Sequence, residues 1–226
     1  MELTLALVLA AATVGALHTV APDHWVPFAA LARAERWSAA RTALVTALCG
    51  LGHVTASVAL GLAAAFLGLE LVQRVGQRLE AVAGVLLIAF GAVYGLWGLH
   101  RRLGEGWHDH GDSRPHWHQH HHEHRHDHTG ARERRMTAWT LFVLFSADPC
   151  VAVIPLMFAA APLGWRQTLA VVTAYELATI GTMIALVLPA RAAASAVGGA
   201  WADRYGDALA GAAIAMAGVV VVSLGW

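Results

Sequence analysis

The sequence predicts an all-α integral membrane protein, and two observations carry that prediction. Hydrophobic residues make up 58% of the chain and charged residues only 13%, with a mean hydropathy of +0.55, values that lie outside the usual range of soluble domains. The apolar residues are grouped in runs of roughly 20, the length that a helix needs to cross about 30 Å of hydrocarbon. Because the runs do not alternate with a period of two, we expect a bundle of helices whose backbone groups are satisfied internally.

Six of the apolar runs are long enough to be membrane spans. We expect transmembrane helices over residues 3–21, 42–68, 79–99, 138–161, 167–190 and 206–226. The first run opens with Met1-Glu2-Leu3-Thr4, which lacks the positive charge that precedes the apolar core of a cleaved signal sequence, so we expect a retained helix. Cys49 and Cys150 fall inside predicted spans, which argues against the disulfide framework of a secreted protein.

The spans predict two three-helix halves, residues 1–99 and 138–226, joined by a polar loop over residues 100–137. Three spans per half would invert the second half relative to the first, as in many transporters. In each half the first span meets an acid beside a proline, at Pro22-Asp23 and at Asp148-Pro149, and the second span carries a polar patch. We therefore expect a 3+3 inverted repeat, with the pair Gly91 and Gly95 spaced for close helix contact.

The charge distribution predicts the orientation in the membrane. The chain has no lysine and a formal net charge of zero, which excludes a lysine-containing P-loop and gives no support for nucleic-acid binding. The positive-inside rule then places both termini outside and the long loop in the cytoplasm of a bacterial-type inner membrane. Arginines are concentrated in the loops of one side: Arg33, Arg36, Arg41, Arg101, Arg102, Arg114, Arg125, Arg132, Arg134, Arg135, Arg191 and Arg204, against Arg74, Arg78 and Arg166 on the other.

Two histidines and an aspartate stand at the end of the first apolar run, in His18-Thr-Val-Ala-Pro-Asp23-His24. On a regular helix these side chains would point in different directions. Pro22 removes a backbone donor and clashes with the preceding turn, so we expect the helix to kink or unwind near Ala21 and the three side chains to converge. Imidazole and carboxylate suit nickel, cobalt, zinc, iron or manganese, with nitrogen favouring the later metals. The alternative is an Asp-His pair that begins a loop at the membrane interface.

Further ionisable side chains lie inside predicted spans, where they are costly and by default mark a substrate or proton path. We expect His53, in the second span, to be a metal ligand or else a hydrogen-bonding residue between helices. Asp148 and Glu176 are expected to be ligands or proton carriers in the second half. Cys150 is expected to be either a soft ligand or a small apolar filler.

The loop between the halves is rich in histidine and acidic residues from Trp107 to Thr129. Such a composition binds divalent metals and cannot build a packed core, so we expect a disordered cytoplasmic metal buffer. A pH sensor is the alternative. The predicted buffer ligands are His108, His110, His116, His118, His120, His121, His122, His124, His126 and His128.

Two of these motifs resemble those of the nickel/cobalt transporter family. The stretch from His18 to His24 matches that family's H-x-x-x-x-D-H signature, and Leu51-Gly52-His53 resembles its second short motif. In size and in the placing of the loop, the chain is similar to the short nickel and cobalt efflux proteins and to the urease-accessory-type membrane proteins of the same superfamily. The resemblance implies that His18, Asp23, His24 and His53 select the metal and pass it on.

Together these features predict a secondary transporter of divalent transition-metal ions rather than an enzyme. The expected cargo is nickel or cobalt, with zinc, iron or manganese as alternatives, and no resident cofactor is expected. Efflux is favoured over uptake, and protons are the expected coupling ion because imidazole and carboxylate must lose protons to bind metal. The expected partners are the metal ion and the bilayer, with a second copy of the chain or a metal-delivery protein at the loop, and no nucleic acid.

Two other functions stay open at this point. One is a metal sensor or accessory protein that binds metal without transporting it. The other is a membrane thiol-disulfide electron carrier. The cysteine positions disfavour the carrier, because Cys49 lies in the second predicted span and Cys150 in the fourth, which are not equivalent positions of the two halves.

Overall fold

The computed structural model describes residues 2–104, 138–196, 199, 201 and 204–224, and these residues form a helical bundle. Two 3-10 turns, Pro22–His24 and Ala161–Leu163, extend or connect the helices. The helices are α1 (Glu2–His18), α2 (Val26–Ala34), α3 (Ala39–Leu67), α4 (Leu69–Gly104), α5 (138–146), α6 (Val153–Ala160), α7 (Trp165–Ala196) and α8 (Gly206–Leu224).

Four helices of the described residues, α3, α4, α7 and α8, are each long and apolar enough to cross a membrane. A fifth span is obtained if α1 and the bent segment Pro22–Ala34 are counted as one crossing. The chain is therefore an all-α, multi-pass membrane protein, as predicted, but the count of six is not confirmed. The difference lies in the predicted span over residues 138–161, which is divided into α5 and the eight-residue α6.

Both interruptions occur at a proline. Ala21, which precedes Pro22, adopts an extended conformation (φ −55°, ψ 135°), because a residue before proline is driven out of the helical region. The chain therefore leaves α1 at His18 and turns by 83° into the segment that contains α2. Pro149 lies in the second interruption, between α5 and α6, where its missing N–H removes a helical hydrogen bond. The predicted break near Ala21 is confirmed.

Glycines set the closest contacts between helices. A Cβ at Gly91 would collide with the backbone of α8, and one at Gly211 would collide with the backbone of Gly95, so α4 and α8 pack backbone to backbone as the glycine spacing predicted. A Cβ at Gly15 would lie 2.8 Å from the carbonyl oxygen of Tyr175, which places α1 against α7. At Gly52 a Cβ would collide with the Ser146 hydroxyl, which places α3 against α5.

The core has two hydrophobic clusters. The first contains Phe28, Trp37, Phe145 and Met183 and lies around α2. The second lies around α6 and contains Ala11, Val54, Ala64, Val72, Cys150, Val153, Ile154, Met157, Ala160, Val171 and Tyr175. The polar residues of the broken helices lie where these clusters meet, because Phe145 of the first cluster contacts the rings of His24 and His53 and Cys150 of the second lines a cavity next to them.

Candidate metal centre

Three histidine rings meet in the interior of the bundle. His18 is the last residue of α1, His24 the last residue of the 3-10 turn, and His53 lies in the middle of α3. One ligand nitrogen from each ring lies within 4.8 Å of the others. The ring centroids of His18 and His24 are 4.3 Å apart, and those of His24 and His53 are 5.3 Å apart. Three of the four residues predicted as metal ligands are thus brought together, and the fourth, Asp23, lies outside this group and contacts His24.

Two of the imidazoles are oriented by hydrogen bonds on their Nδ1 atoms. His24 Nδ1 lies 2.9 Å from Asp23 Oδ1, and His53 Nδ1 lies 3.2 Å from the carbonyl oxygen of Phe145. A carboxylate and a carbonyl only accept hydrogen bonds, so Nδ1 must be the protonated nitrogen in both rings. This tautomer leaves the Nε2 lone pair of each ring available, which is the usual arrangement of histidines that bind metals.

The Nε2 atoms of all three histidines are buried and have no hydrogen-bond partner among the residues that the structure describes. His24 and His53 are each only 1% exposed. An unsatisfied buried polar atom costs about 1–3 kcal/mol, and one such atom could be an accident of packing. Three such atoms, on imidazoles whose ligand nitrogens lie within 4.8 Å of one another, make a group that could hold a metal ion.

A cavity of about 40 Å³ adjoins the three histidines. The volume exceeds the roughly 10–15 Å³ that one water molecule needs, so it can accommodate an ion with a bound water. It is lined by residues from both broken helices and from α3, α4 and α8: His18, Ala21, Asp23, His24, His53, Glu80, Asp148, Pro149, Cys150 and Val221.

Glu80 belongs to this site, and sequence reasoning missed it. It is the only acidic residue within the predicted span 79–99, so the argument that selected Glu176 should have selected Glu80 as well. Its position next to the first residue of that span made it resemble an interfacial residue. In the structure its side chain is half-buried and lines the cavity together with Asp23 and Asp148.

Helix α3 holds the second break in place. The Ser57 hydroxyl donates to the carbonyl oxygen of His53 at 2.8 Å and accepts from the backbone N–H of Cys150 at 2.7 Å. The Cys150 sulfur lies 2.5 Å from the Tyr175 hydroxyl oxygen. Cys150 is therefore a fixed and buried thiol at the edge of the histidine cavity.

The remaining predicted site residues are not part of this cluster. Glu176 lies half-buried on α7 and does not line the cavity. The histidines predicted as a loop buffer, from His108 to His128, lie outside the described residues, and so does most of the predicted domain 100–137. Cys49 is buried on α3, one turn before His53. Both cysteines are free, and they belong to different hydrophobic clusters.

Residues 26–221 match the family described as the cytochrome c biogenesis protein transmembrane region, a family of thiol-disulfide electron carriers. No curated protein and no solved structure matches the chain.

The family match overturns two predictions. Membership of the nickel/cobalt transporter family is wrong, and so is the function inferred from it, the transport of nickel or cobalt with efflux favoured. The resemblance depended on two short motifs in the first two spans, whereas the family match extends over most of the chain. A broken helix brings histidine and aspartate side chains together locally, and such a local motif does not identify the fold that surrounds it.

Proposed function

This chain belongs to the cytochrome c biogenesis transmembrane family, and on that premise we propose that it carries electrons within the membrane through a centre at the three-histidine cavity. In this proposal His18, His24 and His53 hold a resident transition-metal ion, Asp23 orients His24, and Cys150 supplies the thiol beside it. The protein is a carrier and not an enzyme. Its redox partners are dithiol proteins that approach from the membrane surface.

The observation that carries the proposal is the grouping of three imidazoles whose ligand nitrogens lie within 4.8 Å of one another and whose buried Nε2 atoms have no partner among the described residues. Imidazole ligands favour the later first-row divalent ions. Among the metals that suit these ligands, an electron carrier needs one that changes its oxidation state, such as iron or cobalt, because zinc has no redox chemistry. When bound, the ion supplies a site that gains and loses single electrons.

The thiol and the carboxylates contribute the rest of the chemistry. Oxidation of the two thiols of a partner dithiol protein to a disulfide releases two electrons and, from neutral thiols, two protons, and the bound ion would pass these electrons one at a time to an acceptor on the other side of the membrane. Glu80 and Asp148 line the cavity with Cys150, so these carboxylates are placed to accept protons there. Cys150 is held against Tyr175 and Ser57, which keeps the sulfur at a constant position beside the metal ligands.

A second arrangement uses the two cysteines as a direct disulfide pair. The family match favours it, since thiol-disulfide exchange is the chemistry of that family. The positions of the cysteines oppose it, because Cys49 and Cys150 pack in separate clusters and a disulfide requires Cα atoms within about 7 Å.

We also propose the finer topology that the helix pairing supports: six crossings in a 3+3 inverted repeat, both termini outside and the histidine-rich loop in the cytoplasm of an inner membrane. The two broken helices open onto one cavity. Helix α1, which ends at the first break, packs against α7. The interrupted helix formed by α5 and α6 packs against α3, and α4 packs against α8. A two-fold axis in the membrane plane would produce these pairings. The loop would then deliver metal to the centre, alone or with a partner protein.

The test is electron transfer across proteoliposomes. Vesicles that enclose ferricyanide are supplied with an external dithiol, and ferricyanide reduction is followed with the parent protein, His24→Ala, Cys150→Ser and Cys49→Ser. Metal content per chain is measured on each preparation. We expect the parent to transfer electrons, His24→Ala to lose both metal and transfer, Cys150→Ser to lose transfer, and Cys49→Ser to behave as the parent.

Two results would change the conclusion. If Cys49→Ser abolishes transfer while His24→Ala does not, the direct disulfide arrangement replaces the metal centre. If the parent shows no transfer above empty vesicles, the electron-carrier proposal is wrong. A variant without residues 107–129 serves as the control for the loop, and we expect it to retain transfer once metal has been supplied.

A further inference from the structure

The Cys150 sulfur lies beside the histidine cavity without belonging to its group of ligand atoms. Among the described residues, the ligand atoms that lie within 4.8 Å of one another come from His18, His24 and His53 alone, although Cys150 lines the cavity next to them. A thiolate is a strong ligand for transition metals and readily fills a position beside imidazole nitrogens. The contacts around Cys150 explain why its sulfur is not part of the group.

The backbone of Cys150 is fixed, so one torsion angle decides where the sulfur lies. The N–H of Cys150 donates to the Ser57 hydroxyl oxygen at 2.7 Å, and the Ser57 hydroxyl donates to the carbonyl oxygen of His53. A cysteine side chain has a single heavy-atom torsion, χ1, with three staggered minima. With the backbone held, rotation about χ1 moves the sulfur toward the histidines or away from them.

The Tyr175 hydroxyl selects one of these minima. Its oxygen lies 2.5 Å from the Cys150 sulfur, and both side chains are buried. A phenol can donate and accept hydrogen bonds, so Tyr175 accepts one from a neutral thiol and donates one to a thiolate. The bond to a thiolate is charge-assisted and therefore the stronger of the two. The sulfur is held by Tyr175 in either state of protonation.

Tyr175 is itself held in place by α1. A Cβ at Gly15 would lie 2.8 Å from the carbonyl oxygen of Tyr175 and 3.3 Å from its ring atom Cδ2, so α1 lies directly against this tyrosine. Tyr175 also belongs to the same hydrophobic cluster as Cys150. Because α1 ends at His18, one turn after Gly15, Tyr175 connects the helix that carries a histidine of the cavity with the thiol beside that cavity.

We propose that Tyr175 is a positioning residue that holds the Cys150 sulfur away from an ion bound by the three histidines. The proposal rests on the proposed function, in which the histidines hold a transition metal and Cys150 supplies a thiol beside it. A thiolate bound to the ion would occupy a coordination position and would no longer be a free thiol. Tyr175 keeps the two roles on separate residues, because the imidazoles bind the ion and the sulfur stays uncoordinated.

Cobalt binding distinguishes a coordinated sulfur from a free one. Co²⁺ bound to a thiolate has an intense sulfur-to-cobalt charge-transfer band in the near ultraviolet, which nitrogen and oxygen ligands do not produce. The chain has only two cysteines, so histidines elsewhere in the chain cannot cause this band. Spectra with Co²⁺ are recorded on the full-length protein in detergent for the parent, Tyr175→Phe, Tyr175→Phe/Cys150→Ser and Tyr175→Phe/His53→Ala. Tyr94→Phe, which changes another buried tyrosine, is the matched control.

We expect no charge-transfer band in the parent or in Tyr94→Phe. In Tyr175→Phe the aromatic ring keeps its packing and the sulfur is released, so the band should appear. It should be lost in Tyr175→Phe/Cys150→Ser, which removes the thiol, and in Tyr175→Phe/His53→Ala, which removes a ligand of the same ion. Loosened packing alone would not create a sulfur–cobalt bond that depends on both Cys150 and His53.

A band in the parent would overturn the proposal, since the sulfur would already be a ligand, and so would the absence of a band in Tyr175→Phe. Bound cobalt is counted in the parent and in His53→Ala to separate this failure from that of the metal centre. More cobalt in the parent shows that the histidines bind it, whereas equal amounts would refute the centre as well. The expected spectra without ferricyanide reduction in the vesicles would refute electron transfer and leave the role of Tyr175 intact.

Discussion

Replacing Asp23 with asparagine removes the charge that orients His24, a ligand in the proposed metal site, and leaves the imidazole itself in place. In the structure Asp23 Oδ1 lies 2.9 Å from His24 Nδ1, and both side chains are buried. Asparagine has nearly the same volume, so the cavity should keep its shape. The hydrogen bond to a carboxylate is replaced by a weaker one to an amide oxygen, or is lost if the amide turns its NH₂ group toward the ring.

The expected magnitude follows from the role of such partners in metal sites. Loss of a residue that hydrogen-bonds a metal-bound histidine typically lowers metal affinity by about 10–100-fold, which corresponds to about 1.4–2.7 kcal/mol. We expect Asp23→Asn to fall in this range. His24→Ala, which removes a ligand nitrogen, should lower the affinity further.

The assay is competition for cobalt or iron between the purified protein and a chromogenic chelator at fixed pH. Glu70→Gln is the matched control, because Glu70 is an exposed acid that pairs with Arg74 on the surface of α4. Equal affinity of Asp23→Asn and the parent would refute the reasoning that the carboxylate fixes the His24 tautomer. Equal loss in Glu70→Gln would show that net charge alone is responsible.

Three further predictions concern packing, the second break and pH. Gly211→Val should lower the apparent melting temperature in detergent, since a Cβ there meets the backbone of α4 and overpacking costs about 1–3 kcal/mol. Gly181→Val should leave the melting temperature unchanged, because a Cβ at that position meets nothing within 4 Å. Equal melting temperatures of the two variants would contradict the close contact between α4 and α8. Ser57→Ala should speed alkylation of Cys150, whose N–H it binds, with Cys49 as the internal reference. Metal affinity should fall as the pH is lowered, because a protonated imidazole has no free lone pair, and a flat pH profile would argue against histidine ligands.

The sequence was sufficient to locate the first half of the site. Pro22 in an apolar run predicted the break, and the break predicted that His18 and His24 would converge, since an intact helix would separate them. The structure agrees on both points. The positions of these two histidines depend on one break in the helix, and that break is caused by a proline.

The second half was harder to predict because its signals depend on packing. Residues 138–161 are apolar enough to be one span, and although Asp148-Pro149 indicated an end or a break, hydrophobicity did not predict that α5 and α6 would be two separate short helices. Glu80 reaches the cavity from α4 because of the way α4 packs against the other helices. The hydrophobicity of the sequence does not predict that packing. The function was mispredicted for a related reason. Short motifs indicate which residues could bind a metal, whereas the family is recognised over most of the chain.

Helix α3 contacts the second break at two points that are one helical turn apart. The His53 ring binds the carbonyl of Phe145 on one side of the break, and Ser57 binds the N–H of Cys150 on the other. Both hydrogen-bonding residues belong to one continuous helix, so a displacement of α3 along its axis would move the imidazole and the thiol by the same amount. The spacing between the His53 imidazole and the Cys150 sulfur therefore depends on α3, to which both sides of the break are hydrogen-bonded.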